Sequence, residues 1–201
     1  MKKLLAAALI LLALNADAQK RKHYFPAWTY HESNANIYGL SCGISDFIAV
    51  EGEVHTYGVR VSLIGEGILS FMMPCSPVPL SDSAFENVYQ KTVVQRVNGL
   101  NLSGSGTMCS CNVNGFSAGF VTQVLNRMNG LSVMPAQNYV LVSNGIQVAG
   151  LFNETYKMRG IQIGAHNKSY QTRGIQIGLW NINEKRKMPL INWNFSKKQI
   201  A

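Results

Sequence analysis

A glycine that recurs at almost constant spacing is the feature that most constrains the fold of this chain. Successive copies lie 16, 15, 15, 15 and 14 residues apart, and each opens the pattern glycine, apolar, polar, apolar. The six glycines are Gly99, Gly115, Gly130, Gly145, Gly160 and Gly174. Looser copies begin at Gly39 and Gly58. A repeat of this kind is typical of solenoid proteins, in which each repeat forms one coil.

The alternation of polar and apolar residues within each repeat indicates a β-strand with one buried face. We predict that Ile161 and Ile163 point into the protein and that Gln162 points outwards. In an unbroken strand Arg159 would share the face of these isoleucines, so we predict a corner at Gly160 that resets the alternation. The sequence therefore predicts an all-β parallel β-solenoid, or β-roll, with about 14–15 residues per coil.

Composition agrees with a β-rich fold. Hydrophobic residues make up 47 % of the 201 residues, which supplies a core and argues against wholesale disorder. Charged residues make up only 14 %, and there are 18 glycines, which argues against a coiled coil or a helical bundle.

Two further rows of amides repeat with the glycines. One row is predicted to stack as a ladder at the opposite corner of the coil, because identical amides can hydrogen-bond from coil to coil. It consists of Asn138, Asn153, Asn167 and Asn181. The second row is predicted to lie on the outer face and to form a candidate binding surface. It consists of Gln147, Gln162 and Gln176.

The start of the chain has the layout of a secretory signal peptide. A basic start is followed by an uncharged apolar run from Leu4 to Leu14 and by the cleavage pattern Ala16-Asp17-Ala18. Export to the periplasm, the outer membrane or the cell surface is expected. The predicted divisions are a signal peptide (1–18), an N-terminal cap (19–38), a β-repeat domain (39–184) with an inserted loop (66–96), and a C-terminal strand with a basic tail (185–201).

The best-preserved repeats resemble a known family. The stretch Gly-Ile-Gln-Ile-Gly-Leu-Trp-Asn at 174–181, its partner at 160–167 and the ending at 189–195 are similar to the surface repeat-containing proteins of Gram-negative bacteria. Those proteins are built on the unit Gly-Leu-Gln-Ile-Gly-Leu-x-Asn. The resemblance implies an envelope or extracellular setting and brings no catalytic residues with it.

Motifs for catalysis or metal binding are weak. The four histidines lack metal-ligand spacing, and Cys109-Ser-Cys111 does not complete a zinc motif. Small buried thiols and one structural disulfide both remain open for the cysteines. Glu51 and Glu53 can share a strand face, which is a weak pattern for a general acid–base pair. No catalytic residue, cofactor or metal is predicted.

Three functional hypotheses follow. The first is an exported envelope or surface protein with a structural or binding role, its partner being a glycan, an envelope component or a protein. The second is a small antiparallel outer-membrane β-barrel, and the third is a polysaccharide-active β-solenoid enzyme. The net charge of +8 fits peripheral contact with anionic surfaces. No nucleic-acid module appears, and no later segment is long and apolar enough for a transmembrane helix.

Overall fold

Eleven strands form one sheet in the computed structural model of the chain. The structure describes residues 21–45, 52–73, 75–91 and 93–196. The strands are β1 (Lys22–Tyr24), β2 (Ala27–Thr29), β3 (Ala35–Gly43), β4 (Val54–Ser62), β5 (Gln95–Ser103), β6 (Cys111–Gly119), β7 (Thr122–Met134), β8 (Gln137–Ala149), β9 (Phe152–Ile163), β10 (His166–Ile182) and β11 (Lys187–Asn194). The predicted signal peptide lies outside the described residues.

Each strand from β3 to β10 pairs in parallel with the next, and equivalent repeat positions lie opposite one another. Gly145, Gly160 and Gly174, for example, are direct neighbours in three successive strands. The chain is therefore wound as a β-solenoid of about 10 turns. This confirms the predicted parallel β-solenoid and excludes its antiparallel alternative.

The glycine column allows the coils to stack closely. From Gly99 to Gly160 its members have φ between +131° and +138°, a conformation that side chains rarely adopt. A Cβ added to Gly160 would lie 1.9 Å from the carbonyl oxygen of Gly145. Gly174 does not have the positive φ, yet its Cβ would lie 1.8 Å from the carbonyl oxygen of Gly160. Each glycine is therefore required by the contact with the preceding coil.

The change in strand alternation was predicted at the glycine and occurs four residues earlier. β9 continues through Gly160 without interruption, whereas regular pairing skips Tyr156 on both sides of the strand. Thr155 and Met158 are both buried, so the inward positions shift by one residue at Tyr156. From Met158 the next inward position that carries a side chain is Gln162. The prediction that Ile161 and Ile163 point inwards is therefore wrong.

Each coil consists of three segments, shown here for β9. The first segment is 152–155, the second is 157–159 and the third is 161–163, followed by a turn. Asn153 Nδ2 donates to the carbonyl oxygen of Ile163 at 2.8 Å, and Gln162 Nε2 donates to Thr155 Oγ1 at 3.2 Å. Since these contacts cross the interior, the outer surfaces of the first and third segments face in opposite directions.

The interior is apolar in the middle coils and holds a buried cation nearer the N-terminus. The middle coils bury a compact apolar cluster of Val97, Cys111, Val113, Leu125, Met128 and Val140. Nearer the N-terminus the guanidinium of Arg60 is buried 4.2 Å above the ring of Tyr30. It donates to Gln95 Oε1 at 2.7 Å and to Asn101 Oδ1 at 2.8 Å, and these contacts compensate for its desolvation.

The segment predicted as an inserted loop contains two helices, a 3₁₀ helix (Gly67–Met72) and α1 (Asp82–Tyr89). Ser81 caps α1 by accepting a hydrogen bond from the amide of Ala84. Phe85 of α1 stacks on Tyr156 of β9 with ring centroids 4.4 Å apart. Helix α1 therefore covers the outer apolar surface of the corner at Tyr156.

The two ends of the solenoid are closed differently. At the N-terminal end β1 and β2 both pair in parallel with β3. At the C-terminal end β11 reverses direction and pairs antiparallel with β10. Pro189 removes one backbone donor from β11, and Leu190 has a φ of +64°. These irregularities protect the last edge strand from pairing with another chain.

Cys109 and Cys111 form a disulfide, while Cys42 and Cys75 are free. Of the two possibilities left open by the sequence, the structure therefore contains the disulfide, between cysteines separated by one residue. Within the described residues, no helix is long and apolar enough to cross a membrane.

Replacing Gly160 with alanine should destabilise the protein by at least ~2 kcal/mol, because the new Cβ meets the carbonyl of Gly145 and the φ of +134° is strained. The matched control is Arg159→Ala at the preceding exposed position, which should change stability by less than ~0.5 kcal/mol. Urea unfolding measures both free energies. Equal stability of the two variants would contradict the assigned role of the glycine column.

Candidate functional site

The glutamine row was predicted on the outside as a binding surface, and the structure has it in the interior. Gln147, Gln162 and Gln176 are each 0 % exposed. The predicted outer binding face is therefore wrong, and its physical reason is the shift of alternation at Tyr156 described above. An interior amide is acceptable only where its hydrogen bonds are made, and the stacked coils supply partners at regular spacing.

The buried glutamines form a ladder along the solenoid axis. Gln162 Nε2 donates to Gln147 Oε1 at 3.0 Å, and Gln176 Nε2 donates to Gln162 Oε1 at 2.9 Å. Asn192 of β11 extends the ladder by donating to Gln176 Oε1 at 3.3 Å. Every donor in this ladder points towards the N-terminal end of the solenoid. Strand β11 therefore supplies the last amide of the glutamine ladder.

The predicted asparagine ladder is present in the last coils and runs in the opposite direction. Asn153 Nδ2 donates to Asn167 Oδ1 at 2.8 Å, and Asn167 Nδ2 donates to Asn181 Oδ1 at 2.7 Å. Asn138 is buried in the same column but donates to Ser132 Oγ, and it accepts from Gln123. Each ladder asparagine therefore orders the interior and is not available to a ligand.

A consequence of buried glutamines is that the apolar residues on either side of them face outwards. They form two columns on the third segment, which we call the apolar face. One column is Leu40, Val59, Leu100, Phe116, Leu131, Ile146, Ile161, Ile175 and Trp193. The other is Cys42, Val61, Leu102, Ala118, Val133, Val148, Ile163, Ile177 and Ile191.

The apolar face is long, regular and open. It crosses nine strands, from β3 to β11, so it extends about 40 Å at the usual spacing of ~4.8 Å. All its side chains are half-buried or exposed, and the most exposed lie at the C-terminal end, where Ile191 reaches 49 % and Trp193 45 %. A contiguous apolar surface of this size marks an interaction surface more often than a bare monomer surface.

Polar residues border the apolar face along the glycine column. The residue before each glycine is an asparagine in four successive coils, and these amides form an external ladder. Asn114 donates to Asn98 at 2.8 Å, Asn129 to Asn114 at 2.6 Å and Asn144 to Asn129 at 2.7 Å. This ladder was not predicted from the sequence, although an Asn-Gly pair in each of these four repeats signals it.

In the last two coils of this border the asparagines give way to Arg159 and Arg173. They lie directly opposite each other in β9 and β10, and both are exposed. Neither forms an ion pair with a described residue. Like charges on neighbouring strands repel, so a bound anion would stabilise this arrangement. The arginines adjoin the most exposed part of the apolar face.

The structure describes only one member of the predicted carboxylate pair. Glu51 lies outside the described residues, and Glu53 bonds to Arg96 and, at 3.0 Å, to Arg21. Burial raises the pKa of Glu53, but its hydrogen bonds from Arg96, Arg21 and His55 outweigh this effect and lower the pKa overall. Within the described ranges, no three His, Cys, Asp or Glu side chains converge on a possible metal position.

Exchanging Gln162 for methionine should destabilise the protein by about 3 kcal/mol, because the ladder is cut and buried amide groups lose their partners. The comparison variant is Ile163→Ser on the apolar face, which should cost less than ~1 kcal/mol because the residue is 40 % exposed. Thermal and urea unfolding distinguish the two variants. A larger loss of stability in Ile163→Ser than in Gln162→Met would contradict this orientation and would indicate that Ile163 points inwards.

Glu53→Gln should lower stability by roughly 1 kcal/mol at neutral pH, because its ion pairs with Arg21 and Arg96 link segments that are far apart in the sequence. A carboxyl group whose pKa is lower in the folded state than in the unfolded state contributes its full stabilisation above the unfolded pKa of about 4.3. This contribution is lost as the pH falls through the folded pKa. The difference from wild type should therefore shrink as the pH falls below the unfolded pKa and vanish once the pH lies below the lowered folded pKa of Glu53. Glu86→Gln, at an exposed helical position, is the control; a pH-independent deficit in Glu53→Gln would contradict the ion-pair explanation.

The chain matches no protein-family model, no curated protein and no solved structure.

Proposed function

We propose that the protein is an exported envelope β-solenoid that binds peripherally to an anionic lipid surface through its apolar face. The observation that carries this proposal is the junction of two exposed features: the apolar face and, at its border, Arg159 and Arg173, which form no ion pair with a described residue. A surface that binds lipid headgroups needs apolar groups to enter the interface and cations to meet the phosphates.

The apolar side of this junction fits the membrane interface. Ile163, Ile177 and Ile191 project side by side from three successive strands, and Trp193 follows at the end of the adjacent column. Tryptophan is favoured at the level of the headgroups, where its ring meets both apolar and polar surroundings. The two columns of the apolar face contain no charged residue, so insertion requires no ion to leave water.

The charge on the protein is arranged to meet an anionic surface at the same end. Several cations near the N-terminal end are already paired, as in Arg21–Glu53, Arg96–Glu53 and Lys22–Glu32. Arg159 and Arg173 remain without a carboxylate among the described residues, and their forked guanidinium groups suit the oxygens of a phosphate. Two exposed positive charges without an ion pair to a described residue therefore lie beside the most exposed part of the apolar face.

A contrast with α1 supports a partner for this face. The chain covers the apolar corner at Leu141 and Tyr156 with Phe85 and Val88 of its own helix. In the described part of the chain, the columns of the apolar face instead stay open. A sequence that supplies its own cover at one outer apolar surface leaves the other for contact with something outside the molecule.

The predicted signal peptide and the resemblance to surface repeat proteins support export to the envelope. Sequencing the N-terminus of the protein recovered from its native envelope fraction tests this directly. A mature start at Gln19 is expected. An intact Met1 terminus on protein found only inside the cell would overturn the export part of the proposal.

Vesicle co-sedimentation tests the lipid part. The mature chain should bind vesicles of equal parts phosphatidylcholine and phosphatidylglycerol more tightly than phosphatidylcholine alone, and rising salt should weaken the binding. Arg159→Gln with Arg173→Gln should reduce affinity by about 30-fold, because each basic group near an anionic surface contributes ~1 kcal/mol. The charge-matched control, Lys22→Gln with Lys91→Gln, should bind within about threefold of wild type.

The apolar contribution is tested separately with Ile163→Ser and Ile177→Ser combined, which should reduce vesicle affinity by at least about tenfold. Circular dichroism checks that each variant is folded. Equal binding of all variants would overturn the proposal. A dimer in solution that these serines dissociate, with no vesicle binding, would assign the face to a second copy of the chain and would also overturn it.

A further inference from the structure

A pocket on the outer surface of the first segment has the chemistry of a sugar site. Six of the side chains around it form two columns across three successive coils, at equivalent repeat positions. They are Gln137, Phe152 and His166 in one column and Tyr139, Glu154 and Lys168 in the other. The pocket has a volume of about 320 Å³ and lies on the side of the solenoid opposite the apolar face.

We propose that this pocket binds one neutral pyranose unit of a glycan. The apolar part of the site is Phe152, which is 42 % exposed. His166 packs against it with ring centroids 5.6 Å apart and holds it in place. The face of an aromatic ring carries negative charge density, which attracts the weakly positive C–H groups on one side of a sugar ring.

The polar part of the site is an oriented ion pair. Glu154 is only 8 % exposed, and its Oε1 accepts from Lys168 Nζ at 2.9 Å and from Tyr170 Oη at 3.0 Å. Oε2 has no hydrogen-bond partner among the described residues. It is therefore an acceptor that is held in position before any ligand arrives, which reduces the entropic cost of binding.

Donors for the oxygens of a sugar are also available. Lys168 Nζ lies 4.7 Å from the centroid of the Tyr170 ring. Burial lowers the pKa of Lys168, but its contacts with Tyr170 and Glu154 outweigh burial and raise the pKa overall. The ammonium therefore stays charged. Gln137 uses Oε1 to accept from Ser70 and Thr122, which leaves its amide nitrogen as a donor. A sugar hydroxyl both donates and accepts, and this mixture of groups serves both functions.

The charge balance selects a neutral ligand. Glu154 and Lys168 compensate each other, and burial lowers the pKa of His166, so its imidazole is neutral at physiological pH. An anionic sugar would meet the carboxylate of Glu154, and a cationic one would meet Lys168. In the described part of the chain, Glu154 is the only carboxylate around the pocket, whereas glycoside hydrolysis usually requires two. The inferred activity is therefore binding without cleavage.

Saturation-transfer NMR on the mature chain tests the site with glucose, galactose, mannose and N-acetylglucosamine, and with glucuronic acid as the anionic comparison. At least one neutral sugar should receive saturation, with a Kd on the order of 1 mM, and glucuronic acid should bind more weakly. Phe152→Ala should abolish the signal, and Glu154→Gln should weaken affinity at least about tenfold.

Phe120→Ala is the matched control, because Phe120 is an exposed phenylalanine in a turn outside the pocket. It should leave the sugar signal unchanged, and circular dichroism should show all three variants folded. The proposal is overturned if none of the four neutral sugars receives saturation, or if Phe152→Ala and Phe120→Ala give the same signal. Vesicle binding should be unaffected by Phe152→Ala, so this test and the lipid test fail independently.

Discussion

The close approach of successive glycines is the constraint on which the rest of the structure depends. Without a Cβ at Gly145, Gly160 and Gly174, each coil can rest on the carbonyl of the one before. This contact keeps equivalent residues of neighbouring coils opposite one another over the whole repeat. In-register stacking then converts every repeated residue into a column, whether it is an interior amide, an external asparagine or an outward isoleucine. Both proposed binding surfaces are built from such columns.

The interior amides show why this packing is selective. A buried glutamine is costly unless its hydrogen bonds are satisfied, and neighbouring coils satisfy those of Gln162 and Gln176, whereas Gln147 accepts from Gln162 but its own Nε2 has no partner among the described residues. A shift of one residue in the stacking would leave Gln162 opposite a residue other than Gln147 and Gln176. The ladder therefore stabilises one register over its alternatives. With glutamine occupying the inward position, isoleucine has to face outwards, and the polar interior and the apolar face arise together from the same repeat.

Much of the fold is predictable from the sequence, because the period identifies the coil and the glycines mark its close contact. The direction of the strand faces is not predictable in the same way. Alternation separates Gln162 from Ile161 and Ile163 but does not say which set is inside, and hydrophobicity favours the wrong answer. The deciding event is the shift at Tyr156, where α1 covers a side chain that would otherwise be exposed. That contact comes from an inserted segment far away in sequence. The pocket was not predicted for a related reason: Glu154 and Lys168 lie in neighbouring coils and come into contact only when the coils stack.

The opposed directions of the two interior ladders have an electrostatic consequence. Amide dipoles aligned along an axis add, as they do in an α-helix, where they leave partial charges at both termini. Here the glutamine donors point to one end of the solenoid and the asparagine donors of the last coils point to the other. Their fields subtract, so further coils with both ladders could be added without building up a charge at either terminus. The strands that close the ends then need only to complete hydrogen bonds and protect edges, and a solenoid of this design can change length while keeping the same caps.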